Sequence, residues 1–133
     1  MASQSPVRLR MLRALLAVDA AVLVAFGGLF MALPGRVTLA FGFHDLPQAV
    51  SYLIGLWGCA LISLGIGYAF AIGDPLRNVT WIQVGIVRGA IECAFGFAVV
   101  AQHLVTWQQA GFGTIVSGAI AAGYLLLYPK EAA

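Results

Sequence analysis

Apolar residues fill four long runs of this chain, at about 12–33, 48–72, 79–104 and 112–127, and polar residues collect in the short stretches between them. About 20 apolar residues in helical conformation cross a 30 Å hydrocarbon core. The pattern therefore predicts an all-α membrane protein: a single domain over residues 1–133 with four transmembrane helices in an antiparallel bundle. The breaks between the runs carry turn chemistry. Pro34-Gly35 stops the first helix, and Gly73-Asp74-Pro75-Leu76-Arg77-Asn78 is a compact turn that returns the chain. Residues 36–47, with Phe41, Phe43, His44 and Asp45, read as a short interfacial helix, and residues 105–113, with Trp107, Gln108 and Gln109, as a second connection on the same side.

The third run is apolar but carries Arg88 and Glu92 in its middle. At about 100° per residue, Trp81, Val84, Arg88, Glu92, Phe95, Val99 and His103 share one side of that helix. Charges at membrane depth cost roughly 2.5–3.5 kcal/mol each on insertion scales and normally turn inward toward partners. Asp19, in the first run, is the other acid at comparable depth. At about 1.5 Å per residue, Asp19 lies roughly 10 Å, Arg88 roughly 14 Å and Glu92 roughly 20 Å from one boundary. The expectation is a buried charged cluster in which the Arg88 fork takes a carboxylate from each side, with the Tyr68 hydroxyl within reach of Asp19.

Small residues supply the packing signal. Ser51, Gly55, Cys59, Ser63 and Gly67 recur at every fourth position of the second run, a groove for a neighbouring helix that Gly58 and Gly65 widen. Gly85, Gly89 and Cys93 give the third run a similar face. Cys59 and Cys93 lack the spacing of a metal site or disulfide framework and read as small packing residues. An internal repeat also shows: at an offset of 69, Ala21, Ala25-Phe26-Gly27, Ala32 and Gly42-Phe43 match Ala90, Ala94-Phe95-Gly96, Ala101 and Gly111-Phe112. In that register Asp19 is opposite Arg88. A parallel repeat about an axis along the membrane normal would place them so.

Composition agrees with the pattern: 62% of residues are hydrophobic, 9% are charged, and mean hydropathy is +0.96. The net charge of +2 matters less than its placement. Arg8, Arg10, Arg13, Arg77 and Lys130 lie on one side and Arg36 on the other, so both termini are expected in the cytoplasm and the protein in the inner membrane. Residues 1–7 read as a loose tail, and the first run is too long for the apolar region of a secretory signal. Trp81, Tyr124 and Tyr128 would mark the inner interface and Trp107 the outer one, with Trp57 packed inside the bundle. No basic stripe supports nucleic-acid binding. Nucleophile and metal-ligand constellations with workable spacing are missing, and His44 and His103 stand singly near the outer surface, so no catalytic residue, metal or cofactor is expected.

Leu33-Pro34 closing the first run, the glycine-rich second run with Gly55, Gly58, Gly65 and Tyr68, Asp74-Pro75 with Arg77, and Gly85 with Arg88 together resemble small bacterial four-helix membrane proteins of the DoxX-like and BphX-like kind. That resemblance covers most of the chain and implies a membrane-embedded accessory role. Asp19 in the first helix is similar to the acidic residue of small multidrug-resistance exporters, which lack a third-helix Arg and Glu pair. Two functions follow. One is a non-enzymatic structural or accessory component, whose partners are the lipid bilayer and a larger membrane complex or a second copy of itself. The alternative is a small proton- or cation-coupled transporter using Asp19 and Glu92. A sealed cluster would favour the first, and a cavity reaching it from one side the second.

Overall fold

The computed structural model describes residues 5–130. Residues 1–4 of the expected tail, and Glu131, lie outside them. The described residues form five helices: α1 (Pro6–Ala32), α2 (Pro34–Ala40), α3 (Gln48–Gly73), α4 (Val79–Ala101) and α5 (Trp107–Leu127). All but α2 are long and apolar enough to cross a membrane. The Ser5 hydroxyl accepts the Arg8 amide at 3.3 Å and Pro6 occupies the first turn, so α1 begins six residues before the apolar run and absorbs the basic collar. Pro34 cannot continue α1, but its fixed φ suits a first turn, and α2 starts on it. Gly42 at φ 80° and Asp45 at φ 56° then turn the chain back into α3. Between α3 and α4, Asp74 Oδ1 accepts the Arg77 amide at 3.2 Å and the Asp74 carbonyl accepts Asn78 Nδ2 at 2.9 Å.

Two further boundaries differ from the apolar pattern. The fourth long helix begins at Trp107 rather than near 112, because Gln109 Oε1 accepts the Thr106 amide at 2.9 Å as half of a capping box. Most of the expected second connection is thus helix. Its partner α4 stops at Ala101 rather than 104, and His103 follows with φ 59°. Gln109 Nε2 also donates to the Gly42 carbonyl at 3.1 Å, tying the start of α5 to the turn after α2.

The long helices pack as two close pairs, α1 with α3 and α4 with α5. A Cβ on Gly27 would lie 2.7 Å from the Gly58 carbonyl oxygen, and one on Gly65 would lie 3.0 Å from the Ala20 carbonyl oxygen. In the other pair, Gly89 sits against Ser117 and Ala121, Gly96 against Thr114, and Gly85 against the Tyr124 ring. Backbones this close gain dispersion contacts that apolar side chains in lipid do not otherwise supply. The small-residue row expected on α3 is corrected here. Gly55 has open space where a Cβ would be, Cys59 and Ser63 are exposed, and Ser63 Oγ donates to its own Cys59 carbonyl at 2.9 Å. Only Gly67 of that row is buried, under the Trp81 ring. The face that meets α1 carries Gly58, Leu61 and Gly65, because those positions fit against Gly27 and Ala20.

The contacts recur, position for position, in the two pairs. Gly27 meets Gly58 as Gly96 meets Thr114, and Ala20 meets Gly65 as Gly89 meets Ala121. Between the pairs, positions on the first helices differ by the offset of 69 read from the sequence, and those on the second helices by 56. Arg8 Nη2 donates to the carbonyls of Leu126 and Tyr128, so the start of α1 and the end of α5 share one end of the bundle. Leu12, Leu16, Tyr68, Ala71, Ile82 and Tyr124 form a fully buried core in the half nearer that end. The half nearer Phe41 is hollow.

A candidate membrane-embedded binding site

Asp19, on α1, is buried to 1% side-chain exposure and meets Arg88, on α4, at 11%. Arg88 Nη2 donates to Oδ1 at 2.7 Å and to Oδ2 at 2.9 Å, and Tyr124 Oη donates to Oδ2 at 2.9 Å. Three charge-assisted bonds thus satisfy a buried carboxylate. The guanidinium also lies over the Tyr68 ring, 5.2 Å from its centre, and that ring stacks on Tyr124 at 6.2 Å and 16°. Trp81 meets the other side of Tyr68 edge-on at 5.5 Å. The ion pair is therefore walled by aromatic rings at its base.

Three expectations are revised. Arg88 holds Asp19 and does not take Glu92 from the other side: Glu92, one turn further along α4, faces α5 and accepts the Ser117 hydroxyl at 2.6 Å. The tyrosine bonded to Asp19 is Tyr124, which is wholly buried rather than at an interface, while Tyr68 contributes its ring and its hydroxyl has no partner among the described residues. Trp57, expected inside, is 56% exposed. Sequence reasoning missed Ser117 and Tyr124. The available signal was their spacing: Thr114, Ser117 and Tyr124 put hydroxyls at helical intervals on one face of α5, in a run that is otherwise apolar from residue 110 to 127.

Above the ion pair the two helix pairs enclose a cavity of about 400 Å³ between them. Asp19, Arg88, Glu92 and Ser117 lie at its base, and Phe41, Phe43, Val105 and Gln109 toward its other end. Its walls include Phe26 and Phe30 of α1, Trp57 and Leu61 of α3, Phe95 and Val99 of α4, and Phe112 of α5. The gap exists because α3 and α4 touch little beyond Trp81 on Gly67, close to the turn that joins them. Trp57 of α3 and Phe95 of α4, on the two sides of this gap, line the cavity and are 56% and 67% exposed. Comparison with protein-family models, characterised proteins and solved structures finds no match. An apolar cavity with a few converging polar groups at one end is the usual form of a small-molecule site, and this one is set into the side of a bundle long enough to span a bilayer.

At the base of the cavity the two helix pairs are not alike. By the offsets of 69 and 56, Glu92 and Ser117 correspond to Leu23 and Leu61, both members of the core. One pair holds an apolar contact at this level; the other holds a carboxylate and a hydroxyl.

Proposed function

We propose that this chain is a non-enzymatic component of the inner membrane: an antiparallel four-span bundle, both termini cytoplasmic, whose Asp19–Arg88 pair clasps one helix pair to the other. The observation that carries this reading is the burial and full hydrogen bonding of Asp19 where α1 and α4 meet. Apolar surface gives membrane helices little reason to associate, so a buried ion pair fixes neighbour and register. The outward faces carry large apolar side chains such as Phe70, Leu125 and Leu126, suited to lipid, to a second copy or to a larger membrane complex. An accessory role of this kind is what the resemblance to DoxX-like and BphX-like proteins implies.

The second reading, a proton- or cation-coupled carrier, is favoured by one observation: the cavity reaches Glu92, whose carboxylate bonds, among the described residues, only to a neutral hydroxyl. A carboxylate in that position can hold a proton or a cation in turn. The deciding experiment reconstitutes the chain in vesicles with a trapped pH-sensitive dye and imposes a phenyltrimethylammonium gradient. The accessory reading expects no proton movement beyond protein-free vesicles. Proton counterflow that disappears in Glu92→Gln would replace it with the carrier.

A further inference from the structure

The base of the cavity carries a formal charge that the bundle does not balance. Asp19 and Arg88 neutralise each other at 2.7 Å, which leaves Glu92 with Ser117 Oγ as its partner and no cation within ion-pairing distance among the described residues. Packing does not require an acid here, since the corresponding level of the other pair is filled by Leu23 and Leu61. An unpaired carboxylate at membrane depth is costly, and a bound cation offsets that cost. The walls favour the same sign of charge. Phe26, Phe30, Trp57, Phe95 and Phe112 surround the space above Glu92, and aromatic faces attract cations, most strongly where water is excluded. The volume of about 400 Å³ suits a small organic molecule rather than a bare ion. Trp57 and Phe95 of its lining are more than half exposed on helices long and apolar enough to span a membrane, which suits entry of a solute dissolved in the bilayer.

We propose that this cavity binds a lipophilic organic cation, a protonated or quaternary amine bearing aromatic or alkyl groups, with its charged head against Glu92 and its apolar body among the phenylalanines. The proposal rests on the carrier reading only for occupancy of the cavity. A chain that binds such a cation at equilibrium but moves none across a vesicle keeps this inference and ends the carrier reading.

The test uses the full chain in a neutral detergent, with phenyltrimethylammonium as probe and tert-butylbenzene, its uncharged isostere, as control, both followed by equilibrium dialysis. The expected result is saturable binding of one cation per chain, at least tenfold tighter than the isostere. Glu92→Leu with Ser117→Leu copies the apolar level of the other pair, so it should melt like the parent and lose cation affinity at least tenfold. Should that variant fail to fold, Glu92→Gln, which keeps an acceptor for Ser117, carries the same expectation. Gly113→Phe fills the cavity from a position where a Cβ meets nothing within 4 Å, and should abolish binding of both probes. The proposal is overturned by equal affinity for the charged and uncharged probes. Undiminished cation binding in the folded Glu92 variants, or no saturable cation binding by the parent, overturns it as well.

Discussion

Replacing Arg88 by leucine leaves Asp19 at 1% exposure with a single remaining donor, the Tyr124 hydroxyl at 2.9 Å. Breaking a buried pair by removing one partner costs about 3–5 kcal/mol, whereas replacing the whole group by apolar side chains can be close to neutral. For a chain of this size that loss corresponds to a fall in melting temperature on the order of 10–20 °C. Asp19→Leu with Arg88→Leu removes both charges but leaves the wholly buried Tyr124 hydroxyl without its acceptor, an orphan worth about 1–3 kcal/mol. Adding Tyr124→Phe removes that orphan too. The expected order of melting in one detergent is therefore parent close to the triple variant, the double variant below them, and Arg88→Leu lowest. Glu92 stays outside the series because its hydrogen bond is to Ser117. Thermal unfolding followed by circular dichroism gives the order directly. If Arg88→Leu melts with the parent, or if the double variant melts no higher than Arg88→Leu, the pair does not hold the bundle together and the clasp reasoning fails.

Two further expectations concern packing and topology. Gly27→Ala and Gly58→Ala each push a methyl against a carbonyl oxygen across the α1–α3 crossing, at 2.7 and 2.6 Å, and should destabilise by about 1–3 kcal/mol. Gly55→Ala meets open space and should be neutral or slightly stabilising, so a melting series in which Gly55→Ala falls furthest would refute the assignment of faces. Reporter fusions after Asn78 and at the C-terminus should report the cytoplasm and one after Asp45 the exterior; an exterior signal at Asn78 would contradict the proposed topology.

The charged residues were legible because a charge in an apolar run has few places to go. Asp19 and Arg88 had to meet something, and each was the other's nearest opposite charge at matching depth. Which acid Arg88 would take was not legible, because Glu92 and Arg88 share a face only to within the angle between successive turns. A small rotation of α4 turns Glu92 toward α5 and Ser117. Tyr68 and Tyr124 show a related limit: depth put Tyr68 near Asp19 and Tyr124 at the inner interface, yet the two rings stack at 6.2 Å and it is the Tyr124 hydroxyl that points at the carboxylate. On α3 the row Ser51, Gly55, Cys59, Ser63 and Gly67 was the longer run of small residues, but Gly58 and Gly65 are the two that find backbone across from them. Periodicity identifies a face; it does not say which neighbour arrives there. The cavity could not be read at all, since it depends on how far α3 and α4 diverge.

That divergence follows from the way the two helix pairs repeat each other. Asp19 and Arg88 stand at the offset of 69 and Tyr68 and Tyr124 at the offset of 56, so both meetings between the pairs bring corresponding positions together. Two identical side chains would serve such a meeting poorly if both were charged alike, and this chain carries opposite charges there instead. The clasp closes the end of the bundle nearer the termini, where Leu12, Leu16, Ile82 and the tyrosines fill the space. Among the described residues nothing comparable closes the other end between α3 and α4, and in lipid no hydrophobic drive pulls those helices together. A gap there is inexpensive to keep open, since lipid or a lipophilic solute can line it as well as protein can. The one place where the second pair departs from the first at this level is Glu92 with Ser117 in place of Leu23 with Leu61, and it lies on the wall of that gap. A packing residue would have been apolar, as its counterpart is, so the carboxylate is best explained by what enters the cavity rather than by what holds the helices.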